Sequence, residues 1–246
     1  MTRLPAYLAY HTQSAAIGDI DPSQAMLRYI ANRYEINLEQ RYWLAFLYGL
    51  TYNGASAFYL YHEWPDFENV DIGRMNRWWT SRGRAETACQ TDRRWVRSAN
   101  MFVPAVESYR RWIGDQTQEE HFAKLTAPWI PEQVMTPELR YNSIYNAATY
   151  LHSFGQFALF LYLEALDTVT PLNLVPTDLD LSKAWSCRHG LLYAYGLDHL
   201  INDRETPTQF EARQPVAESW TDLRTRLEAN VWNLETTLCA YRKFMD

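Results

Sequence analysis

A single acidic residue, Glu164, lies inside a run of ten residues that is otherwise apolar. The run, Phe157–Leu166, reads FALFLYLEAL. A helix that is apolar on all sides is buried, and a buried carboxyl group must pair with a cation, accept hydrogen bonds or keep its proton. Glu164 is therefore either half of a structural ion pair, with Arg140 or Arg188 as partner, or a catalytic acid–base group.

A second group of ionisable residues lies in the segment from Ser186 to His199, which reads SCRHGLLYAYGLDH. Gly190 interrupts a helical pattern there, at a cost of about 1 kcal/mol relative to Ala. Such a cost is often met where a backbone or a ligand approaches closely. We therefore expect Arg188 and Asp198 to lie near a permissive stretch of backbone. The alternative is a helix that ends at Gly196 with solvated charges beyond it.

Arginine and tryptophan are concentrated between Arg74 and Trp112. Residues 74–111 carry nine arginines against three acids, about +6, whereas the whole chain has a net charge of −6. Arginine binds phosphate through a planar fork, and aromatic rings stack on bases, so this composition is typical of a surface for single-stranded DNA or a flipped base. A solvated helix face with its tryptophans in the core is the alternative. The candidate DNA-binding residues are Arg74, Arg77, Trp78, Arg82, Arg84, Arg93, Arg94 and Arg97.

Several classes of protein are excluded by missing motifs. The three cysteines are widely spaced and form no CxxC pair, so neither a disulfide framework nor a zinc site is expected, and a reducing compartment fits best. No Glu-x-x-His pair and no glycine-rich nucleotide loop occurs. We expect no cofactor, and the need for a divalent metal stays open.

No signal peptide and no membrane-spanning run is present, so we expect a cytoplasmic protein without a membrane partner.

Helix-start signals recur along the chain, and strand patterns are scarce. Asp21-Pro22 predicts the start of a helix over 23–34, in which Met26, Tyr29, Ile30 and Tyr34 share a face. Asn37 with Gln40 predicts a capping box for 38–52, and Thr117 with Glu120 predicts another for a short helix. The other predicted helices end at Glu63 or cover 71–81, 93–113 with a kink at Pro104, 137–152, 154–167, 183–195 and 215–244. One all-α domain over 1–246 is the simplest fold.

Two short motifs in the segment 137–199 look like a family signature. The first is His152–Phe157, reading HSFGQF, which continues through Phe160, Tyr162, Glu164 and Leu166; the second is Ser186-x-Arg188-x-Gly190-Leu191 with Gly196-x-Asp198. Together they resemble the α-glutamyl/putrescinyl thymine pyrophosphorylases and related amino acid:DNA transferases of bacteriophages, and residues 42–49, YWLAFLYG, are compatible with them. One departure is Gln156, where a basic residue is expected. The resemblance implies an all-α fold loosely like that of DNA glycosylases.

The resemblance also implies a reaction, in which an amine displaces pyrophosphate from 5-pyrophosphoryloxymethyluracil in DNA. The partners would be DNA carrying the modified thymine and an amino acid or polyamine, in the cytoplasm of a host bacterium. Arg188 would bind the leaving pyrophosphate, and Glu164 or Asp198 would accept the proton of the amine. The implied substrate-binding residues are His152, Gly155, Gln156, Phe157, Ser186 and Gly190.

Two other functions fit the residues without the resemblance. A noncatalytic helical module could bind nucleic acid or a protein through the Arg/Trp-rich segment, 74–112, and its affinity for DNA would then depend on salt but not on base modification. Alternatively, a helical enzyme could act on a small phosphorylated metabolite through Arg188, without affinity for DNA.

Overall fold

The computed structural model describes residues 2–17, 21–90, 96–98, 100–130, 132–181, 184–201, 214–228 and 230–245. In chain order its α-helices are α1 (Leu4–Ile17), α2 (Pro22–Arg33), α3 (Leu38–Thr51), α4 (Gly54–Glu63), α5 (Ile72–Trp78), α6 (Arg84–Glu86), α7 (Phe102–Ile113), α8 (Gln118–Leu125), α9 (Pro137–Ala148), α10 (Gln156–Val169), α11 (Trp185–Tyr195), α12 (Gln214–Leu227) and α13 (Val231–Met245). A π-helical turn, Trp79–Gly83, joins α5 to α6, and a 3-10 turn, Asp198–Leu200, follows α11. No strand occurs in the described ranges, and the predicted all-α class is confirmed.

The helices divide into two compact units. The terminal unit comprises residues 1–22 and 176–246, and the central unit comprises residues 23–175. A single domain over 1–246 and a likeness to DNA glycosylases stay predictions. None of the described helices is long and apolar enough to cross a membrane.

The core of the central unit is the packing of α3 against α10. Every residue of α3 from Tyr42 to Thr51 is buried, and so is α10 from Ala158 to Leu166, which confirms the prediction of a buried apolar helix. The two backbones approach closely at Gly49, where a Cβ would lie 2.9 Å from the Cβ of Tyr162. Rings around this contact stack on one another, for example Phe46 on Tyr109 with centroids 4.0 Å apart.

Local signals placed several helix starts correctly. The predicted capping boxes Asn37/Gln40 and Thr117/Glu120 both form, at the first turns of α3 and α8. Each box satisfies N–H groups that have no partner inside the helix, using residues three apart in the chain, so the pattern is readable without tertiary contacts.

Three predicted helices differ from the observed ones. The helix expected over 93–113 is observed as α7 from Phe102. Pro104 lies in its first turn, where the missing N–H costs no hydrogen bond inside the helix. The helix expected over 137–152 ends at Ala148. The helix expected over 215–244 is two helices, and Glu228 at the break has a left-handed φ of 45°.

In the terminal unit, α11 packs against α13. A Cβ on Gly190 of α11 would overlap the carbonyl oxygen of Leu238 in α13 and lie 2.8 Å from its carbonyl carbon. Helix α1 is tied to α13 by Tyr7 and His11, whose side chains both hydrogen-bond the Thr237 hydroxyl, at 2.9 and 3.0 Å. The contact at Gly190 sets α11, which carries the second sequence motif, against α13.

Candidate functional site

The first motif forms the surface turn that leads into α10 of the central unit. The backbone N–H of His152 donates to the Ser108 hydroxyl at 2.9 Å, Ser153 adopts a left-handed φ of 72°, and the buried ring of Phe154 lies 5.4 Å from Phe46. This anchoring leaves the side chain of His152 exposed, together with Gly155 and Gln156. The turn therefore holds the start of α10 open to solvent. Phe157, half-buried in its first turn, stacks on Phe160.

Gly155 is the N-cap of α10, and neither its backbone nor its packing requires glycine. Its φ is −75°, a value that any residue adopts, and no described atom lies within 4 Å of the position of a Cβ. No side chain caps the helix here. The first N–H groups of an α-helix have no partner inside the helix and carry the positive end of its dipole. An open, uncapped N-terminus of this kind can bind an anion.

The other described glycines have an internal explanation. Gly49, Gly54, Gly83 and Gly190 are crowded by Tyr162, Met26, Trp78 and Leu238, in that order, Gly73 lies beside Asp71, and Gly114 and Gly196 have left-handed φ values. Gly155 differs from them because it combines free space around a Cβ with a φ that any residue adopts, whereas Gly114 has free space but a left-handed φ.

Glu164 lies on the same helix but away from its open end. It is 7% exposed and faces α9, where its charge acts on the buried hydroxyl of Tyr141. Nine residues separate it from Gly155, which is about 13 Å along the helix axis. Arg140, one of the cations expected to pair with it, donates from Nη1 to the carbonyl of Leu172 at 3.4 Å. The structure therefore does not bring Glu164 to the N-terminus of α10.

The second motif lies in the terminal unit on α11 and the turn after it. Arg188 and Gly190 are buried, and Ser186 is half-buried. The close approach expected at Gly190 is confirmed, and the approaching group is the backbone of Leu238. Gly196 has a φ of 70° and caps α11, as the alternative interpretation of this segment expected.

Asp198 is exposed and forms an ion pair with Arg3, with Nη1 and Oδ1 3.3 Å apart. The same guanidinium also donates to the carbonyl of Tyr193 at 3.3 Å. Asp198 is therefore a solvated, paired carboxylate.

A buried polar cluster between α11 and α13 was not predicted. Sγ of Cys187 lies 3.2 Å from Oε1 and 3.4 Å from the carbonyl oxygen of Glu235. Burial raises the pKa of Glu235 to about 8, and the nearby Cys239 adds to the rise. A hydrogen bond from Cys187, with Lys243 close by, lowers the pKa of Cys239 to about 6 against the opposing effect of burial. Glu235 and Cys239 lie one turn apart on α13, but Cys187 joins them from 48 residues earlier in the chain, so no motif spacing marks the cluster in the sequence.

The candidate DNA-binding arginines that the structure describes are exposed. They are Arg74, Arg77, Arg82, Arg84 and Arg97, all in the central unit. Arg93 and Arg94 lie outside the described residues. Arg82 pairs with Glu63 at 3.0 Å and approaches Glu86 at 4.0 Å, so its charge is largely compensated. The predicted DNA surface therefore depends more on the other exposed arginines.

The tryptophans of the basic segment divide between core and surface. Trp79 is buried and stacks on Phe102 with centroids 4.1 Å apart, whereas Trp78 is half-buried and packs over Gly83. The two rings are neighbours in the chain, and consecutive residues of a helix point about 100° apart, so they face different surroundings. For Trp79 the alternative interpretation, a ring in the core, is correct.

An open groove on the central unit was also not predicted. It has a volume of about 590 Å³ and lies between α2 and α4, with Met26, Ile30 and Tyr34 on one side and Phe58 and Tyr61 on the other. The apolar face predicted for α2 thus lines a groove, and the buried side of α2 is formed by Gln24, Leu27 and Ala31 instead. In the described part of the chain, no group of three or more His, Cys, Asp and Glu side chains could hold a metal ion.

Comparison with known proteins assigns the family. The amino acid:DNA transferase family matches residues 15–246, and the chain belongs to it. This confirms the resemblance found in the two motifs, and the family is one of transferases that act on DNA. A serinyltransferase of Salmonella phage ViI is 27% identical over 145 residues, which cover 54% of this chain and 30% of the relative. The chain thus aligns with less than a third of that protein. No solved structure matches.

Proposed function

We propose that this protein transfers an amine, an amino acid or a polyamine, to a modified thymine in phage DNA and releases pyrophosphate. The observation that carries the proposal is the family match across residues 15–246. In the reaction the amine nitrogen attacks the methylene carbon of 5-pyrophosphoryloxymethyluracil. The carbon–oxygen bond breaks, pyrophosphate leaves with the bonding electrons, and the nitrogen loses a proton.

The open N-terminus of α10 is the part of the central unit that best fits the leaving group. Gly155 leaves the first N–H groups of α10 uncovered, and these groups stabilise negative charge that develops on a departing pyrophosphate. Gln156 can add a neutral hydrogen bond there, although it supplies no charge. Arg188 stays a proposed anion-binding residue of the second motif.

We assign the proton-accepting role to Glu164 in preference to Asp198. Glu164 is buried in the unit that also carries the open N-terminus of α10, whereas Asp198 is exposed and paired with Arg3 in the terminal unit. The alternative is that Glu164 is a buried charge that only stabilises the fold of the central unit. A substitution that keeps the shape of the side chain distinguishes the catalytic role from the structural one.

The decisive experiment supplies duplex DNA containing 5-pyrophosphoryloxymethyluracil and a panel of amines. L-Serine heads the panel because the Salmonella phage ViI relative is a serinyltransferase, followed by glycine, glutamate and putrescine. We expect pyrophosphate release and a modified nucleoside detected by mass spectrometry. Folded protein that gives no product with any amine would refute the proposal, and binding that ignores the base modification would favour the noncatalytic module.

Glu164→Gln tests the proton acceptor. We expect at least about a hundredfold loss of kcat, within the range for general bases, with an unchanged melting temperature. Asp167→Asn is the matched control, because Asp167 lies on the same helix and its carboxylate accepts from the N–H of Leu174 at 2.7 Å. If Glu164→Gln instead lowers the melting temperature and leaves the kcat of the folded fraction intact, Glu164 is a structural charge.

A further inference from the structure

A surface loop of the central unit exposes three large apolar side chains within six positions of the chain. Trp129 is 72% exposed, Ile130 is 60% exposed and Val134 is 78% exposed, in the segment that connects α8 to α9. No other tryptophan in the described ranges is exposed to this degree. Apolar side chains grouped in this way are costly in water and mark a surface that contacts another molecule.

Gln133 forms hydrogen bonds with the backbone of Trp129 and Ile130. The backbone N–H of Trp129 donates to Oε1 of Gln133 at 2.9 Å, and the backbone N–H of Gln133 donates to the carbonyl of Ile130 at 3.0 Å. Gln133 thus fastens both residues of the apolar tip. A tip fixed in this way loses little conformational freedom when it enters a partner.

Both ends of the loop are anchored in the central unit. At the α8 end, the hydroxyl of Ser143 donates to the carbonyl of Leu125 at 2.6 Å. At the α9 end, Met135 is buried and the Thr136 side chain caps the next helix. The loop is therefore tied to the central unit at both of its ends.

The helix that carries the loop packs on a basic helix. The ring of Trp112 in α7 lies 4.5 Å from His121 and 5.6 Å from Phe122 of α8, measured between centroids. Arg111, next to Trp112, is exposed. The loop thus extends from a helix that packs against the end of the Arg/Trp-rich segment. This segment is the part of the chain that we expect to bind the phosphate backbone of DNA.

We propose that Trp129 and Ile130 form a wedge that enters the base stack of duplex DNA and holds open the space left by the target base. The inference rests on the proposed function, because a group on a base in a duplex becomes reachable when the base leaves the stack. Proteins that kink or open a duplex insert apolar side chains between base steps in this way. The tip offers one flat ring and one branched side chain without a charge on either.

The test compares two DNA substrates that differ in the free energy needed to move the modified base out of the duplex. In the first, the modified base is paired with adenine, and in the second it lies opposite an abasic site, where it is already unpaired. For Trp129→Ala we expect kcat/KM to fall at least about tenfold on the paired substrate and less than about threefold on the abasic one, because the wedge offsets unstacking and unpairing. Trp129→Phe keeps a flat ring and should retain most of the activity.

Tyr34→Ala is the matched control, since Tyr34 is also 72% exposed in the central unit. This variant should leave kcat/KM unchanged on both substrates. Equal losses on the two substrates with Trp129→Ala, or no loss on either, would overturn the wedge, and the second result is the one expected if the loop instead contacts a protein partner.

A measurement of base stacking on DNA binding tests the wedge without depending on enzymatic turnover. Duplex DNA carries 2-aminopurine beside the target position, and its fluorescence rises when stacking is disturbed. We expect a rise on binding of the wild-type protein and none with Trp129→Ala at saturation. If the wild-type protein binds this DNA without a rise, the wedge is wrong even where transfer occurs; if the rise is present but no amine is ever transferred, the transferase proposal fails and the wedge stands.

Discussion

Gly190 of α11 lies directly against the backbone of Leu238 in α13, so closely that a Cβ would overlap the carbonyl oxygen. The atom in the way belongs to a helix backbone, which cannot rotate aside as a side chain can. Since Ser186 and Arg188 lie on the same helix, this contact determines where the second family motif sits within the terminal unit.

Gly190→Ala should therefore destabilise the protein. We expect a loss of about 1–3 kcal/mol, the usual cost of overpacking, although alanine is the better helix former. Thermal denaturation followed by circular dichroism measures it. Gly73→Ala, at an exposed position of α5, is the control for helix propensity, and a wild-type melting temperature for Gly190→Ala would contradict the close packing.

Gly155→Asp should affect activity and stability in opposite directions. An aspartate N-cap accepts hydrogen bonds from the first N–H groups of α10 and complements the helix dipole, so the melting temperature should stay the same or rise. The same carboxylate repels a pyrophosphate group, and we expect at least about a tenfold loss of kcat/KM on pyrophosphorylated DNA.

Gly155→Asn is the control for that charge, because asparagine caps a helix equally well and is neutral. It should lose much less activity than Gly155→Asp. Similar activity of both variants, measured with equal amounts of folded protein, would place the pyrophosphate elsewhere.

Glu235 should make the stability of the protein fall as the pH rises from about 5 to 8. Burial raises the pKa of this carboxyl to about 8 in the folded protein, whereas an unfolded glutamate ionises near pH 4.3. Between these values unfolding releases a proton, so the free energy of unfolding decreases by at most about 1.4 kcal/mol per pH unit from this group. Above pH 8 both states are ionised and the effect is constant.

Urea denaturation of the wild-type protein and Glu235→Gln at pH 5, 6, 7 and 8 measures this contribution. The difference between them should change in favour of the variant as the pH rises. Glu218→Gln, which removes an exposed carboxylate from the same unit, should run parallel to the wild type. Parallel curves for Glu235→Gln as well would contradict the raised pKa.

Arg77→Ala should weaken DNA binding in a manner that depends on salt. Arg77 is exposed in the basic segment, and if it contacts a phosphate, the slope of log K against log salt should decrease by about one. Fluorescence anisotropy at salt concentrations from roughly 50 to 300 mM measures both the affinity for DNA and its dependence on salt. Arg226→Ala is the control, since Arg226 is exposed in the terminal unit and paired with Asp222 at 2.7 Å; an equal loss for both variants would argue against a defined surface.

The sequence by itself determined those features that depend on neighbours along the chain. The capping boxes at Asn37 and Thr117, the all-α class and the buried helix that covers 158–166 follow from hydrogen bonds and apolar spacing within a few residues, and the structure confirms all three. The family motifs were also readable, because they are contiguous.

Only the tertiary structure decided what individual residues in those motifs do. Gly155 and Gly190 are the same residue type in two motifs, yet one lies in open space and the other beneath the backbone of α13. Glu235 meets Cys187 across 48 residues of chain, a contact that no local pattern encodes. The physical reason is that burial, and with it the surroundings of a charge or a glycine, depends on which distant helix packs above it.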